Sequence, residues 1–135
     1  MVAFLDWAFL FIDMKTKKIK VDIFEWDIVL IELSKKDTPE SVLKHLKEFI
    51  SLDDELTEEV TDKINRRYFD GGSHYFYTSN RMSVILLYPT SSKQKRLNVL
   101  CHEKRHAEDR ILNYSGVDDI ETAGYLAGYL AEELI

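Results

Sequence analysis

Cysteine, proline and glycine are all scarce: the 135 residues include one cysteine, two prolines and five glycines. A single cysteine, Cys101, excludes an internal disulfide and favours a reducing compartment. Few prolines and glycines, with 45% hydrophobic and 31% charged residues, exclude collagen-like, low-complexity and wholly disordered chains. Because a chain of this length buries about two-thirds of its unfolded surface, we expect one domain over residues 1–135 that needs no disulfide.

The sequence also lacks an apolar run long enough to cross a membrane. Its most apolar stretch, residues 1–12, is interrupted by Asp6 and followed by Asp13, whereas a span needs about 20 apolar residues. The nearest lysines follow this stretch, which is the reverse of a secretory signal. We therefore expect no membrane segment and a cytoplasmic protein.

Positive charge is in the minority, since 18 lysines and arginines face 24 aspartates and glutamates for a net charge of −6. Proteins that bind duplex nucleic acid draw much of their affinity from neutralising phosphates. The two basic clusters, residues 15–20 and 93–96, are short and do not alternate with aromatic residues. We expect no nucleic-acid partner.

Hydrophobic periodicity predicts a small α+β domain. The predicted elements are, in order, a hairpin of residues 9–14 with 19–24 around a tip at 15–18, a strand at 26–31, helices over 38–51 and 53–68, a hairpin of 74–78 with 82–88, and helices over 92–114 and 118–135. The last two helices are expected to form a helical hairpin, with Gly116 ending the first of them.

The first helix of that pair contains the HExxH sequence His102-Glu103-Lys104-Arg105-His106. At about 3.6 residues per turn, His102 and His106 lie one turn apart on one face, so both imidazoles can reach one ion. Glu103 lies about 100° round the helix from His102, where it can reach a metal-bound water as a general base. The spacing predicts His102 and His106 as metal ligands and Glu103 as the catalytic residue.

A solvated helix turn explains the same residues without a metal. In that interpretation the two histidines pair with nearby acids, and Glu103 pairs with Arg96 or Arg110. Lys104 departs from the usual pattern because it projects into the apolar face of the helix, where its charge must snorkel or pair. Outside the motif, His74 has an alternative interpretation as a further ligand, but we expect it to be a surface residue of a strand, and we expect Cys101 to be buried.

Residues 97–131 resemble the HExxH zinc metallopeptidases, or zincins, and in particular the compact intracellular branch typified by the ImmA/IrrE proteins. In that branch a glutamate on the helix after HExxH completes the zinc site, and here that helix contains Glu121. The resemblance implies a minimal zincin-like fold with Zn²⁺ held by His102, His106 and Glu121. It also implies that Glu103 is the general base in hydrolysis of a peptide or protein substrate by a zinc-bound water.

Glu121 has a second interpretation that involves no metal. Asp118 followed three residues later by Glu121 is an acidic version of the capping box, which would explain both residues. If a metal is present, Asp118 or Asp119 is an alternative oxygen ligand.

Three functions therefore remain open from the sequence, the third of them a structural or sensory metal site without catalysis. The first is a zinc-dependent metallopeptidase, active or degenerate, in which residues 82–88 offer a strand edge to an extended substrate. The second is a non-enzymatic protein-interaction domain, in which residues 102–106 are a charged helix turn and Glu121 is a helix cap.

Overall fold

The computed structural model describes residues 14–135 and confirms the predicted α+β class. The strands are β1 (Lys15–Val21), β2 (Trp26–Glu32), β3 (Gly72–Tyr77) and β4 (Met82–Leu87). The helices are α1 (Pro39–Leu46), α2 (Asp54–Asn65), α3 (Lys93–Ser115) and α4 (Ile120–Leu134). Among residues 14–135, no helix combines the length and apolar character needed to cross a membrane.

The four strands form one mixed sheet in the order β1-β2-β4-β3. The two outer pairs are antiparallel, and the central pair of β2 with β4 is parallel. Successive side chains of a strand point to opposite faces, so Ile28 packs in the core beneath α3 and α4 while Val29 packs beneath α1 and α2. With helices over both faces, β2 and β4 are almost continuously apolar, as expected for buried parallel strands.

The predicted first hairpin is wrong in its register. Residues 15–18 belong to β1 and are not a turn, and β1 pairs with β2, so that Lys15 lies opposite Glu32. The reversal occurs at the 3₁₀ turn Asp22–Phe24, followed by Glu25 in the left-handed region at φ 51°. In the part of the sheet that the structure describes, β1 is an edge strand, and exposed lysines protect such a strand from further pairing. In the sequence the same lysines resemble a polar turn. Residues 9–13 of the predicted hairpin lie outside the described part of the chain.

The ends of the last two helices differ in how well they were predicted. Gly116 ends α3 in the left-handed region at φ 69°, as expected. Asp119 caps α4, because its carboxylate accepts hydrogen bonds from the Thr122 backbone N–H at 3.1 Å and the Thr122 hydroxyl at 2.7 Å. The capping-box interpretation of Asp118 with Glu121 is therefore wrong, because the capping residue is Asp119, one position later, and it bonds to Thr122.

A buried ion pair within α3 also provides a hydrogen bond to α4. Lys104 pairs with Glu108 one turn further along α3, and its ammonium also donates to the Ala127 carbonyl of α4 at 3.2 Å. The side chains of Lys104 and Glu108 are only 12% and 3% exposed. The expectation that Lys104 needs a partner is confirmed.

Candidate metal centre

The HExxH turn of α3 lies over β3, which is an edge strand in the described part of the sheet. Alternate residues of β3 share one face and meet successive turns of α3. The facing pairs are Gly72 with Glu103, His74 with His106, and Phe76 with Arg110. One strand of alternating residues therefore forms the floor beneath the motif.

Gly72 sets the distance between α3 and β3. A Cβ at this position would lie 2.8 Å from the Leu86 carbonyl oxygen and 3.0 Å from both Glu103 Cγ and Val99 Cγ1. The contact under 3 Å is with a backbone oxygen of β4, so the strand would have to shift, and the two side chains of α3 would have to give way by a few tenths of an ångström. The absence of a side chain at Gly72 thus lets the Glu103 turn approach the sheet.

The two histidines present their Nε2 atoms to each other. The distance between His102 Nε2 and His106 Nε2 is 3.1 Å, and the rings meet edge to face with centroids 4.6 Å apart. Two imidazole nitrogens bound to tetrahedral zinc at about 2.0–2.1 Å lie roughly 3.3–3.4 Å apart. Both side chains are exposed, so a small opening of the pair would admit an ion from solvent.

Glu103 completes a group of three potential ligands. Its side chain is buried, with 5% of the residue exposed, and its Oε1 lies 4.0 Å from His102 Nε2. Burial raises the pKa of Glu103, while the imidazoles of His102 and His106 and the Lys63 ammonium act in the opposite direction. One potential ligand atom from each of His102, Glu103 and His106 lies within 4.8 Å of the others, so the group could hold a metal ion.

Glu121 is not part of this group. It is exposed in the first turn of α4, and within residues 14–135 the only set of three potential ligands that meets this distance is His102, Glu103 and His106. Asp118 and Asp119 are outside the group as well, and Asp119 is engaged as the cap of α4. The structure therefore brings together three of the four predicted site residues.

His74 is a neighbour of the site that sequence reasoning missed. It is not a surface residue as expected: it is half-buried, its Nε2 lies 2.9 Å from Ser83 Oγ, and its ring stacks parallel to that of His106 with centroids 6.4 Å apart. Burial, His106 and Arg110 lower the pKa of His74 to about 4, so the ring is neutral near pH 7. In the sequence, the only signal was that His74 shares one face of the strand with Gly72 and Phe76, because alternate residues of a strand point to the same side.

Arg110 provides a cation one turn beyond His106. Its guanidinium carbon lies 3.6 Å from the centre of the Phe76 ring, a cation–π contact that holds the group flat. Among residues 14–135, no carboxylate lies within ion-pair distance of Arg110. Cys101, which was expected to be buried, is exposed beside the motif.

Comparisons of the chain with protein-family models, curated proteins and solved structures found no match.

Proposed function

We propose that the protein is a zinc-dependent peptidase in which His102 and His106 bind the metal and Glu103 is the general base. The observation that carries this proposal is the 3.1 Å separation of the two Nε2 atoms beside a buried carboxylate. The imidazole pair matches the ligand preference of zinc and the spacing that zinc imposes on two nitrogens. No other set of three potential ligands at this spacing lies in residues 14–135.

The position of Glu103 suits proton transfer. When bound, zinc supplies a water whose pKa is lowered towards about 7. In this role Glu103 would accept the proton of the attacking water at a carboxylate oxygen and would return it to the peptide nitrogen when the C–N bond breaks. Because burial raises its pKa, the Glu103 carboxylate is a stronger base than an exposed glutamate.

The substrate would pair with β3. The sequence suggested residues 82–88 as the edge for an extended peptide, but β4 lies between β2 and β3 and has no free edge. In the described part of the chain, β3 has no strand on its outer side and lies directly under the HExxH turn. An extended peptide that adds to this edge brings its carbonyl groups alongside the two histidines.

Arg110 would bind a carboxylate of that peptide. Its guanidinium is stacked on Phe76, so its N–H groups at the ring's rim are free to hold a carboxylate bidentately. A substrate carboxylate there also neutralises the cation next to the metal, which otherwise repels it.

Metal content and peptide cleavage test the proposal together. Purified protein is expected to hold about one zinc per chain, and His102→Ala or His106→Ala should abolish both zinc and cleavage of an unstructured peptide mixture. Glu103→Gln should keep zinc and lose cleavage, since the amide cannot accept the proton. His45→Ala, which removes a histidine of α1 bonded to Thr16, is the matched control and should change neither.

Zinc that survives both histidine substitutions would contradict the site. Cleavage that survives Glu103→Gln would contradict the assigned base, while zinc without any cleavage would contradict the peptidase and leave a metal-binding domain.

A further inference from the structure

A cavity of about 590 Å³ lies at the carboxyl ends of the two parallel strands, and no residue of the HExxH motif lines it. Its walls are the segment after β2, the end of α2 and the segment after β4. The chain leaves β2 towards α1 on one face of the sheet and leaves β4 towards α3 on the other. Such a divergence opens a crevice between the two loops, and open sheets with parallel strands characteristically bind ligands there.

Two buried polar groups of this cavity lack partners. Asp37 is 7% exposed, and its Oδ2 accepts from the Ser34 backbone N–H at 2.6 Å, but its Oδ1 has no hydrogen-bond partner among the described residues. Tyr88 is 2% exposed, and its hydroxyl is likewise without a described partner. Burial raises the pKa of Tyr88, so the hydroxyl keeps its proton. Because buried polar groups are rarely left unpaired, we expect a ligand at the inner end of the cavity to donate a hydrogen bond to Asp37.

The outer part of the cavity has the opposite character. Lys35 and Arg67 line it and are exposed, and neither forms an ion pair with a carboxylate in residues 14–135. Phe69, which is 61% exposed, and Tyr68 add an aromatic wall on which a flat ring can stack.

We propose that this crevice binds a small molecule with a flat ring that carries N–H donors at one end and an anionic group at the other, the chemistry of a purine nucleoside monophosphate. The ring N–H donates to Asp37 Oδ1, the ring lies against Phe69, and the phosphate lies between Lys35 and Arg67. A cavity of about 590 Å³ has the size of a mononucleotide site.

The phosphate belongs on the Arg67 side and not at the start of α3. There the Asp70 carboxylate already accepts from the Ser91 backbone N–H and hydroxyl, both at 2.7 Å. A phosphate at that position would be repelled by the Asp70 carboxylate.

Calorimetric titration with GMP, guanosine and inorganic phosphate tests the proposal on the full chain. GMP is expected to bind, guanosine to bind at least about tenfold more weakly, and phosphate alone to show no binding at about 1 mM. Asp37→Asn replaces the free acceptor by a donor and should weaken GMP binding about tenfold or more. Arg67→Asn should weaken GMP by a similar factor and leave guanosine unchanged; asparagine suits the left-handed backbone of Arg67, at φ 53°.

Arg66→Asn is the matched control, because Arg66 pairs with Asp62 and does not line the cavity. It should bind GMP as the original chain does. If Asp37→Asn fails to fold, Lys35→Gln is the second variant: it removes an exposed cation assigned to the phosphate, so it should fold normally, bind GMP more weakly and bind guanosine unchanged.

Absence of GMP binding at about 1 mM would overturn the proposal. Equal affinity for GMP and guanosine would overturn the anionic end of the proposed ligand. Full GMP affinity in both the Arg67→Asn chain and the Asp37→Asn or Lys35→Gln chain would overturn the location of the site. None of these results depends on zinc, so they are distinct from failure of the proposed peptidase.

Discussion

Removal of one partner of the buried ion pair between Lys104 and Glu108 should destabilise the protein strongly. Lys104→Met keeps the length and apolar stem of the side chain but leaves the Glu108 carboxylate 97% buried with no cation beside it. It also leaves the Ala127 carbonyl without its donor. An uncompensated buried charge is the dominant loss, because a carboxylate that is 3% exposed is poorly solvated by bulk water once the ammonium is removed.

The expected size of the effect is about 3–5 kcal/mol of unfolding free energy, as for other buried pairs that lose one partner. For a chain of this length that corresponds to a fall in Tm of roughly 10–20 °C. Replacing both partners, Lys104→Met with Glu108→Leu, fills the same space without charge and should recover most of the loss. The double variant should therefore be far more stable than Lys104→Met alone.

Chemical denaturation followed by circular dichroism measures these differences directly. The control is Arg105→Ala on the same helix, which breaks the pair with Asp109 at 3.3 Å, where the two side chains are 73% and 52% exposed. Exposed pairs contribute about 0.2–1 kcal/mol, so this variant should be close to the original chain. If Lys104→Met were no more destabilising than Arg105→Ala, the pair of Lys104 with Glu108 would not be buried as described.

Further substitutions test the surroundings of the proposed metal centre. Gly72→Ala should lower the unfolding free energy by about 1–3 kcal/mol and weaken zinc binding by displacing α3. Gly124→Ala should instead stabilise α4 by up to about 1 kcal/mol, because nothing lies within 4 Å of the added Cβ. Chemical denaturation and zinc titration distinguish the two variants. Glu121→Ala should leave zinc affinity unchanged, since Glu121 is outside the ligand group, and collapse of that affinity in a zinc titration would make it the third ligand. Asp119→Ala should lower stability by about 1 kcal/mol through loss of the α4 cap, and an unchanged denaturation midpoint would contradict that role. Ser83→Ala should cost about 1–3 kcal/mol, because Ser83 is bonded to both Trp26 and His74; a smaller loss in the same denaturation assay would show that neither ring depends on it.

Local signals accounted for most of the elements. The periodicity of apolar residues and the position of Gly116 placed α3 within a residue of its ends, and the β-branched run from Trp26 placed β2. The lysines of β1 misled because a polar run describes a turn and an exposed edge strand equally well. Only pairing with β2, which is a contact distant in sequence, distinguishes the two.

The candidate site also contains residues that local spacing predicts and residues that only contacts distant in sequence bring near. His102, Glu103 and His106 lie within two turns of one helix, so their spacing alone brings their side chains together. Glu121 belongs to another helix, whose position depends on packing that the sequence does not display, such as the bond from the Tyr129 hydroxyl to the Lys20 carbonyl at 3.0 Å. His74 was missed for the same reason, because it reaches the site from β3.

Zinc K-edge X-ray absorption of the zinc-loaded protein tests the central claim most directly. The proposed site predicts two imidazole nitrogens in the first shell at about 2.0–2.1 Å, with the remaining ligands oxygen. The His102→Ala and His106→Ala chains should retain too little zinc to give a first-shell spectrum, while the His45→Ala spectrum should match that of the original chain. A first shell without imidazole, or one containing sulfur from Cys101, would contradict the assignment of His102 and His106 as the metal ligands.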